Sequence, residues 1–229
     1  DPNAEGQYDK NDSLVNCGCW DSTNVYSSVS DALLDAGNAP GADIENIVQI
    51  AAGEYVGVGG SVWNKTKIIG GFRKNMAELI ARGEDMEAKP KKYTVTINGD
   101  GGSGLDIVSW DDAWAHKAIK DIIIEGITLQ NCSEPIFVKG NVGENPGGPK
   151  YVTPVENVVI RECIFESNPS IGGALRIGVA KNVTIQSCVF TGNTGTPNAM
   201  NDVAGAILVD NDYGNDWIPN AGQVENLRI

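Results

Sequence analysis

The hydrophobic positions of this chain fall into one alternating motif that returns four times. Ile119 to Leu129, Val155 to Phe165, Ala180 to Phe190 and Val224 to Ile229 can be written beneath one another. In each, the third position is a short polar residue (Asp121, Asn157, Asn182, Asn226) of the kind that tolerates turn conformations and bonds neighbouring backbone. Apolar residues then align at Ile122, Val158, Val183 and Leu227, and again at Ile124, Ile160, Ile185 and Ile229. After a two-residue corner come Ile127, Cys163 and Cys188, followed by Leu129, Phe165 and Phe190. Alternation with period two marks strands with one face in a core. A helix cannot give two alternating pairs broken by a fixed corner. The motif starts, at 119, 155, 180 and 224, lie 36, 25 and 44 residues apart, so the shortest interval is a bare coil and the longer ones add a loop. Like residues fall under like because stacked coils sit about 4.8 Å apart, the spacing of hydrogen-bonded strands.

A third strand completes each coil. Gly173 to Ile177 matches Gly205 to Val209, and Pro135 to Val138 is placed on the same side. Just before these strands Asn168 and Asn193 align, which predicts an asparagine ladder bonding from coil to coil. Upstream, Val48 to Ala52, Lys67 to Phe72 and Thr94 to Asn98 read as first strands of earlier coils. Ser28 to Ala36 carries a capping serine, apolar residues at helical spacing and Gly37 as a stop. A helix there covers the open first coil, which otherwise presents unpaired backbone. Residues 75–92 read as an inserted loop with a short helix at Met76 to Arg82. The expected fold is therefore all-β, a right-handed, single-stranded parallel β-helix (solenoid) with a short N-terminal capping helix. Residues 1–43 form the N-terminal segment and capping helix, and residues 44–229 the β-helix, with loop insertions near 73–92, 139–154 and 194–203.

Composition narrows the partners. The formal charge of −13 and pI of about 4.4 repel a phosphate backbone, so nucleic acid is not expected as a partner. No run of 18 or more apolar residues exists, so no membrane span is expected. The chain begins at Asp1, which fits removal of a signal peptide and placement outside the cell, secreted or at the cell surface. Five cysteines (Cys17, Cys19, Cys132, Cys163, Cys188) leave at least one unpaired within the molecule, and their spacing matches no zinc pattern. Cys163 and Cys188 fall on neighbouring coils pointing inward, which reads as a buried thiol ladder. Cys17 or Cys19 bridging to Cys132 stays open.

The Phe165-Glu-Ser-Asn168 and Gly172-Gly-Ala-Leu175 segments, with Phe190-Thr-Gly-Asn193 and Ala204-Gly-Ala-Ile207, resemble the paired FxxN and GGA-[ILV] motifs of polymorphic outer-membrane proteins. Ser28 through Gly53-Glu-Tyr55 to Ile69-Gly-Gly-Phe72 resembles the start of secreted bacterial pectin-lyase-like proteins, including those with sorting-anchor tails. The resemblance implies the β-helix fold. It leaves function open, because that scaffold carries lyases, glycosidases, adhesins and phage fibres alike.

Several residues are candidates for chemistry. Asp210, Asp212 and Asp216 lie in Asp-Asn-Asp-Tyr-Gly-Asn-Asp, where oxygens at alternate positions around a glycine turn suit calcium, against the alternative of a polar turn. Asp9 to Asp12 is a weaker example. Glu125 and Arg161 share an outward column with Gln186, readable as half of a lyase site or as a surface ion pair. The single histidine, His116, sits in a loop insertion between Trp114 and Lys117. Two outward columns, Ile123 with Val159 and Ile164 with Val189, are apolar and point to a covered surface. The leading functional expectation is an extracellular structural or adhesive protein that self-associates through the open ends of its β-helix, with a surface glycan as a further partner. A polysaccharide lyase or other glycan-active enzyme, and a non-catalytic carbohydrate-binding module, are the alternatives. The enzyme expectation is left undecided and leans to none.

Overall fold

The computed structural model describes residues 14–16, 26, 28–38, 45–51, 53–57, 59–72, 95–109, 111–112, 115–116, 119–144, 150–170, 173–195, 204–209 and 224–229. After a short strand β1 (Leu14–Asn16) and a helix α1 (Val29–Asn38), strands come in threes. The first coil holds β2 (Asn46–Ala51), β3 (Gly53–Val56) and β4 (Gly60–Ser61), and the second β5 (Thr66–Phe72), β6 (Val95–Asn98) and β7 (Ser103–Val108). A two-stranded hairpin, β8 (Asp111–Asp112) and β9 (Ala115–His116), precedes the third coil of β10 (Lys120–Glu125), β11 (Thr128–Gln130) and β12 (Glu134–Lys139). A second hairpin, β13 (Asn141–Glu144) and β14 (Lys150–Thr153), stands between the third and fourth coils. The fourth coil is β15 (Val155–Arg161), β16 (Ile164–Glu166) and β17 (Leu175–Gly178), and the fifth β18 (Ala180–Gln186), β19 (Val189–Thr191) and β20 (Ile207–Val209). β21 (Val224–Glu225) starts a sixth.

Corresponding strands of successive coils pair in parallel, giving three stacked sheets in a solenoid-like, all-β architecture. The first sheet runs β2-β5-β10-β15-β18-β21, with β1 added antiparallel at its edge; the second runs β3-β6-β11-β16-β19 and the third β4-β7-β12-β17-β20. The register is the one the repeat predicts, with Ile122 opposite Val158, Val158 opposite Val183, Leu129 opposite Phe165, and Leu175 opposite both Ile136 and Ile207. Alternate residues of all three sheets converge on one core. Ile122, Ile124, Val158 and Ile160 from the first sheet, Ile97, Leu129 and Phe165 from the second, and Leu105, Ile107, Ile136 and Ile177 from the third are fully buried.

The corners explain why polar residues recur at fixed places. Asp121, Asn157, Asn182 and Asn226 all have φ between 56° and 60°, a left-handed conformation that Asn and Asp enter more readily than other non-glycine residues. Their side chains form an exposed ladder of one polarity. Asn157 Nδ2 donates to Asp121 Oδ1 (2.8 Å), Asn182 Nδ2 to Asn157 Oδ1 (3.0 Å) and Asn226 Nδ2 to Asn182 Oδ1 (2.9 Å). The first member only has to accept, and a carboxylate sits there. The predicted second ladder is present and buried. Asn168 Nδ2 donates to Leu129 O (3.0 Å) and Asn193 Oδ1 (2.9 Å), while Asn168 Oδ1 accepts from the Cys132 backbone N–H (2.9 Å). Asn193 Nδ2 repeats the contact one coil on, donating to Phe165 O (2.9 Å).

Helix α1 is capped by Ser28 Oγ, which accepts from Asp31 N (3.0 Å), and it buries Val29, Ala32 and Leu33 while Leu34 stays exposed. It packs against β2 and β4, over the first coil as expected. Two expectations need correction. Gly37 lies within the last turn instead of ending the helix; a Cβ there would fall 2.2 Å from the Trp63 indole nitrogen, so close packing and not chain reversal explains the glycine. Val95–Asn98 is also not a first strand. β5 already fills that place in the second coil, and β6 pairs with β3 and β11 in the second sheet. The intervening residues 73–94 are thus inserted between the first and second strands of one coil. The short helix foreseen at Met76 to Arg82 lies outside the described residues.

Candidate functional site

The outer face of the third sheet gathers charged and aromatic side chains. In β7 the inward Leu105 and Ile107 turn Asp106 outward; in β12 Ile136 and Val138 do the same for Phe137; in β17 Leu175 and Ile177 do so for Arg176. Pairing places Phe137 directly between Asp106 and Arg176, so the three form one row across neighbouring strands. Lys139 follows two residues later on the same face, and Glu134 opens β12. The Arg176 guanidinium carbon stands 5.0 Å from the Phe137 ring centroid and Lys139 Nζ 5.7 Å from it. Arg176 Nη1 reaches back to Glu134 Oε1 at 3.4 Å, with the two side chains only 16% and 22% exposed.

Both carboxyl groups of this patch are held above their ordinary range. Burial is the main cause at Glu134, reinforced by the nearby Asp106 charge and opposed by Arg176 and Lys139. At Asp106 the cause is burial, and its Oδ1 is buried without a hydrogen-bond partner. The patch therefore combines an aromatic platform, two cations and two carboxyl groups raised by burial, on strands whose inward residues lock them in place. The burdened aspartate gives a direct expectation. A raised carboxyl binds its proton more tightly folded than unfolded, so its favourable contribution is complete below the unfolded value of about 3.9 and is lost as pH rises through the higher folded value. Asp106→Asn is expected to melt above the wild type at pH 7, with the two curves converging toward pH 4. A variant that melts below the wild type at pH 7 would refute that burden.

No family model, curated protein or solved structure matches this chain. The arrangement must be read from its own geometry. Asp210, Asp212 and Asp216, the sequence-based calcium candidates, lie outside the described residues, as do Asp9 to Asp12, Cys17 and Cys19. Glu125, Arg161 and Gln186 do share one row. Arg161 donates to Glu125 Oε2 from Nε at 2.8 Å and from Nη2 at 2.5 Å, over a carboxylate side chain only 12% exposed. Both guanidinium donors go to the same carboxylate oxygen, which is the ion-pair reading of this row. His116 pairs with Asp111 in the β8–β9 hairpin. Ile164 and Val189 are exposed at 39% and 52%, whereas Ile123 and Val159 are half-buried. Cys132, Cys163 and Cys188 are free thiols, so no bridge to Cys132 forms.

Among the described residues, no three His, Cys, Asp or Glu side chains cluster as a metal site, and no helix is long and apolar enough to cross a membrane. The third-sheet patch was missed from sequence because coil two had not been carried to its third strand. The signal was available: Ser103-Gly-Leu-Asp-Ile-Val108 alternates as Pro135 to Val138 does, with Asp106 at the outward place.

Proposed function

We propose that this chain is an extracellular structural or adhesive protein, secreted or held at a cell surface, and that its strands wind as a right-handed parallel β-helix. The resemblance of its repeats to those of secreted β-helix proteins supports the winding and the location. The observation that carries the adhesive reading is the Asp106–Phe137–Arg176 row with Glu134 and Lys139 beside it. Saccharide rings present C–H faces that stack on an aromatic ring and hydroxyls that bond to carboxyl and guanidinium groups. A patch on rigid strands meets such a ligand with little ordering cost. End-to-end stacking is the structural form of the same reading. Among the described residues β19 and β20 are edge strands of their sheets, and a parallel edge can pair with a further strand.

The raised carboxyls of Glu134 and Asp106 favour one second reading, a glycan-active enzyme using a protonated acid. One set of experiments separates the two. On an array of acidic and neutral glycans the protein is expected to bind a subset. Phe137→Ala should weaken that binding roughly tenfold, about 1.4 kcal/mol, and negative-stain images should show linear assemblies. Incubation with pectate, alginate and chondroitin should give no absorbance of unsaturated product. Steady turnover that disappears in Glu134→Gln would replace the adhesive reading with the enzymatic one, and binding indifferent to Phe137 would remove the patch from both.

A further inference from the structure

We propose that Cys163 and Cys188 form a thiol–disulfide exchange site, in which Cys188 reacts first with a small-molecule disulfide and Cys163 resolves the adduct into a bridge between the fourth and fifth coils. The two residues occupy the same inward corner position, between the first and second strands of their coils. Ile164 pairs with Val189, and Val189 N donates to Cys163 O at 2.9 Å, so the backbones are stacked one coil apart. The side chains repeat the same surroundings. Cys163 Sγ lies 3.2 Å from Arg161 O and 3.7 Å from Ile124 O; Cys188 Sγ lies 3.5 Å from Gln186 O and 3.5 Å from Ile160 O. A coil step of about 4.8 Å falls inside the Cα range of disulfides.

Access is one-sided. Cys163 is fully buried, while Cys188 is half-buried. Electrostatics point the same way. The Cys163 hydrogen bond lowers Cys188, outweighing its burial, whereas Cys163 is raised by that same bond and by desolvation. Thiolate character and exposure thus coincide on Cys188. Its sulfur attacks one sulfur of the incoming disulfide, the old S–S bond breaks and one thiolate leaves with the electron pair. The Cys163 thiol gives up its proton to that departing thiolate and attacks Cys188 Sγ, expelling the second thiolate, which is protonated from solvent. Two protein thiols are oxidised and one small disulfide is reduced to two thiols. Cys132 serves as an internal reference, because it is buried elsewhere and burial pushes its thiol up to about 11.

The test is peptide mapping of the folded full-length chain after exposure to oxidised glutathione, quenched with acid and alkylated. Cleavage after Arg176 and Lys181 separates the two cysteines into different peptides. The expected product is a linked Cys163–Cys188 peptide pair, about 2 Da lighter than the sum of the reduced peptides, with Cys132 still alkylated. Cys163→Ala should hold glutathione on Cys188, and Cys188→Ala should leave Cys163 unreacted. The proposal is overturned by stable glutathione on Cys188 of the wild type without linkage, by a Cys188 that stays reduced, or by Cys163 reacting in Cys188→Ala. If either variant loses its β-rich circular dichroism, the wild-type map alone decides.

Discussion

Asn168→Ala is expected to destabilise the protein by roughly 3–5 kcal/mol, read as a shift of the urea midpoint at constant slope. The Asn168 side chain is fully buried and stands where the second strand of the fourth coil hands over to the third. Its amide carries three bonds, to the Cys132 N–H, to Leu129 O and to Asn193 Oδ1. Alanine leaves the first two backbone groups of the third coil without partners, and each buried orphan costs about 1–3 kcal/mol. The cavity adds to that cost. The exposed ladder supplies a control. Asn182→Gly also removes two amide bonds, but at φ 56° glycine is unstrained and water takes over the lost contacts. Its expected cost stays below about 1 kcal/mol. Equal losses at the two positions would contradict the distinction between a buried and a solvated ladder.

That distinction marks where sequence reasoning had purchase. Aligning Asn168 with Asn193 and Asp121 with Asn157, Asn182 and Asn226 needed only the repeat, because a coil that stacks on its own likeness must put equivalent side chains in register. Which ladder is buried could not be read the same way. Both are columns of asparagine, and burial depends on whether the corner turns the amide toward the core. The placement of Val95–Asn98 failed for a related reason. Alternation is the same in every sheet, so sheet identity is carried only by neighbouring corners, and residues 73–94 interrupt that context. Gly37 was read as a helix stop because local rules know nothing of Trp63 arriving from the first coil.

The candidate site was less legible than the fold. Phe137 and Arg176 fall in one column as soon as the third strands are aligned, yet a phenylalanine and an arginine at outward positions look unrelated in a linear reading. Their meaning comes from distance: a cation over a ring at 5.0 Å, and a second carboxyl, Asp106, one strand away. Glu125 and Arg161, by contrast, are visible as a pair, and the geometry that makes them an ion pair is the same register that makes them visible.

Phe165→Ala is expected to cost roughly 3–5 kcal/mol, and Phe190→Ala about half as much. Phe165 has no exposed surface and lies between Leu129 of the third coil and Phe190 of the fifth; the two phenylalanine rings stack with centroids 4.6 Å apart and planes 3° from parallel. Truncation removes contacts on both sides, in an interior one coil wide where neighbours cannot close in without breaking register. Phe190 is half-buried, so its truncation loses less apolar contact. The two variants should also differ in how the molecule opens. In a stack where each coil touches only the next, damage at Phe165 weakens two interfaces and lowers the main unfolding transition. Damage at Phe190 weakens the fifth coil first, seen as faster amide exchange in β18 and β19 with a smaller change in the global midpoint. Exchange that quickens evenly across β10, β15 and β18 in Phe190→Ala would instead mean that the coils unfold as one unit, and that nearest-neighbour coupling is the wrong description of this core.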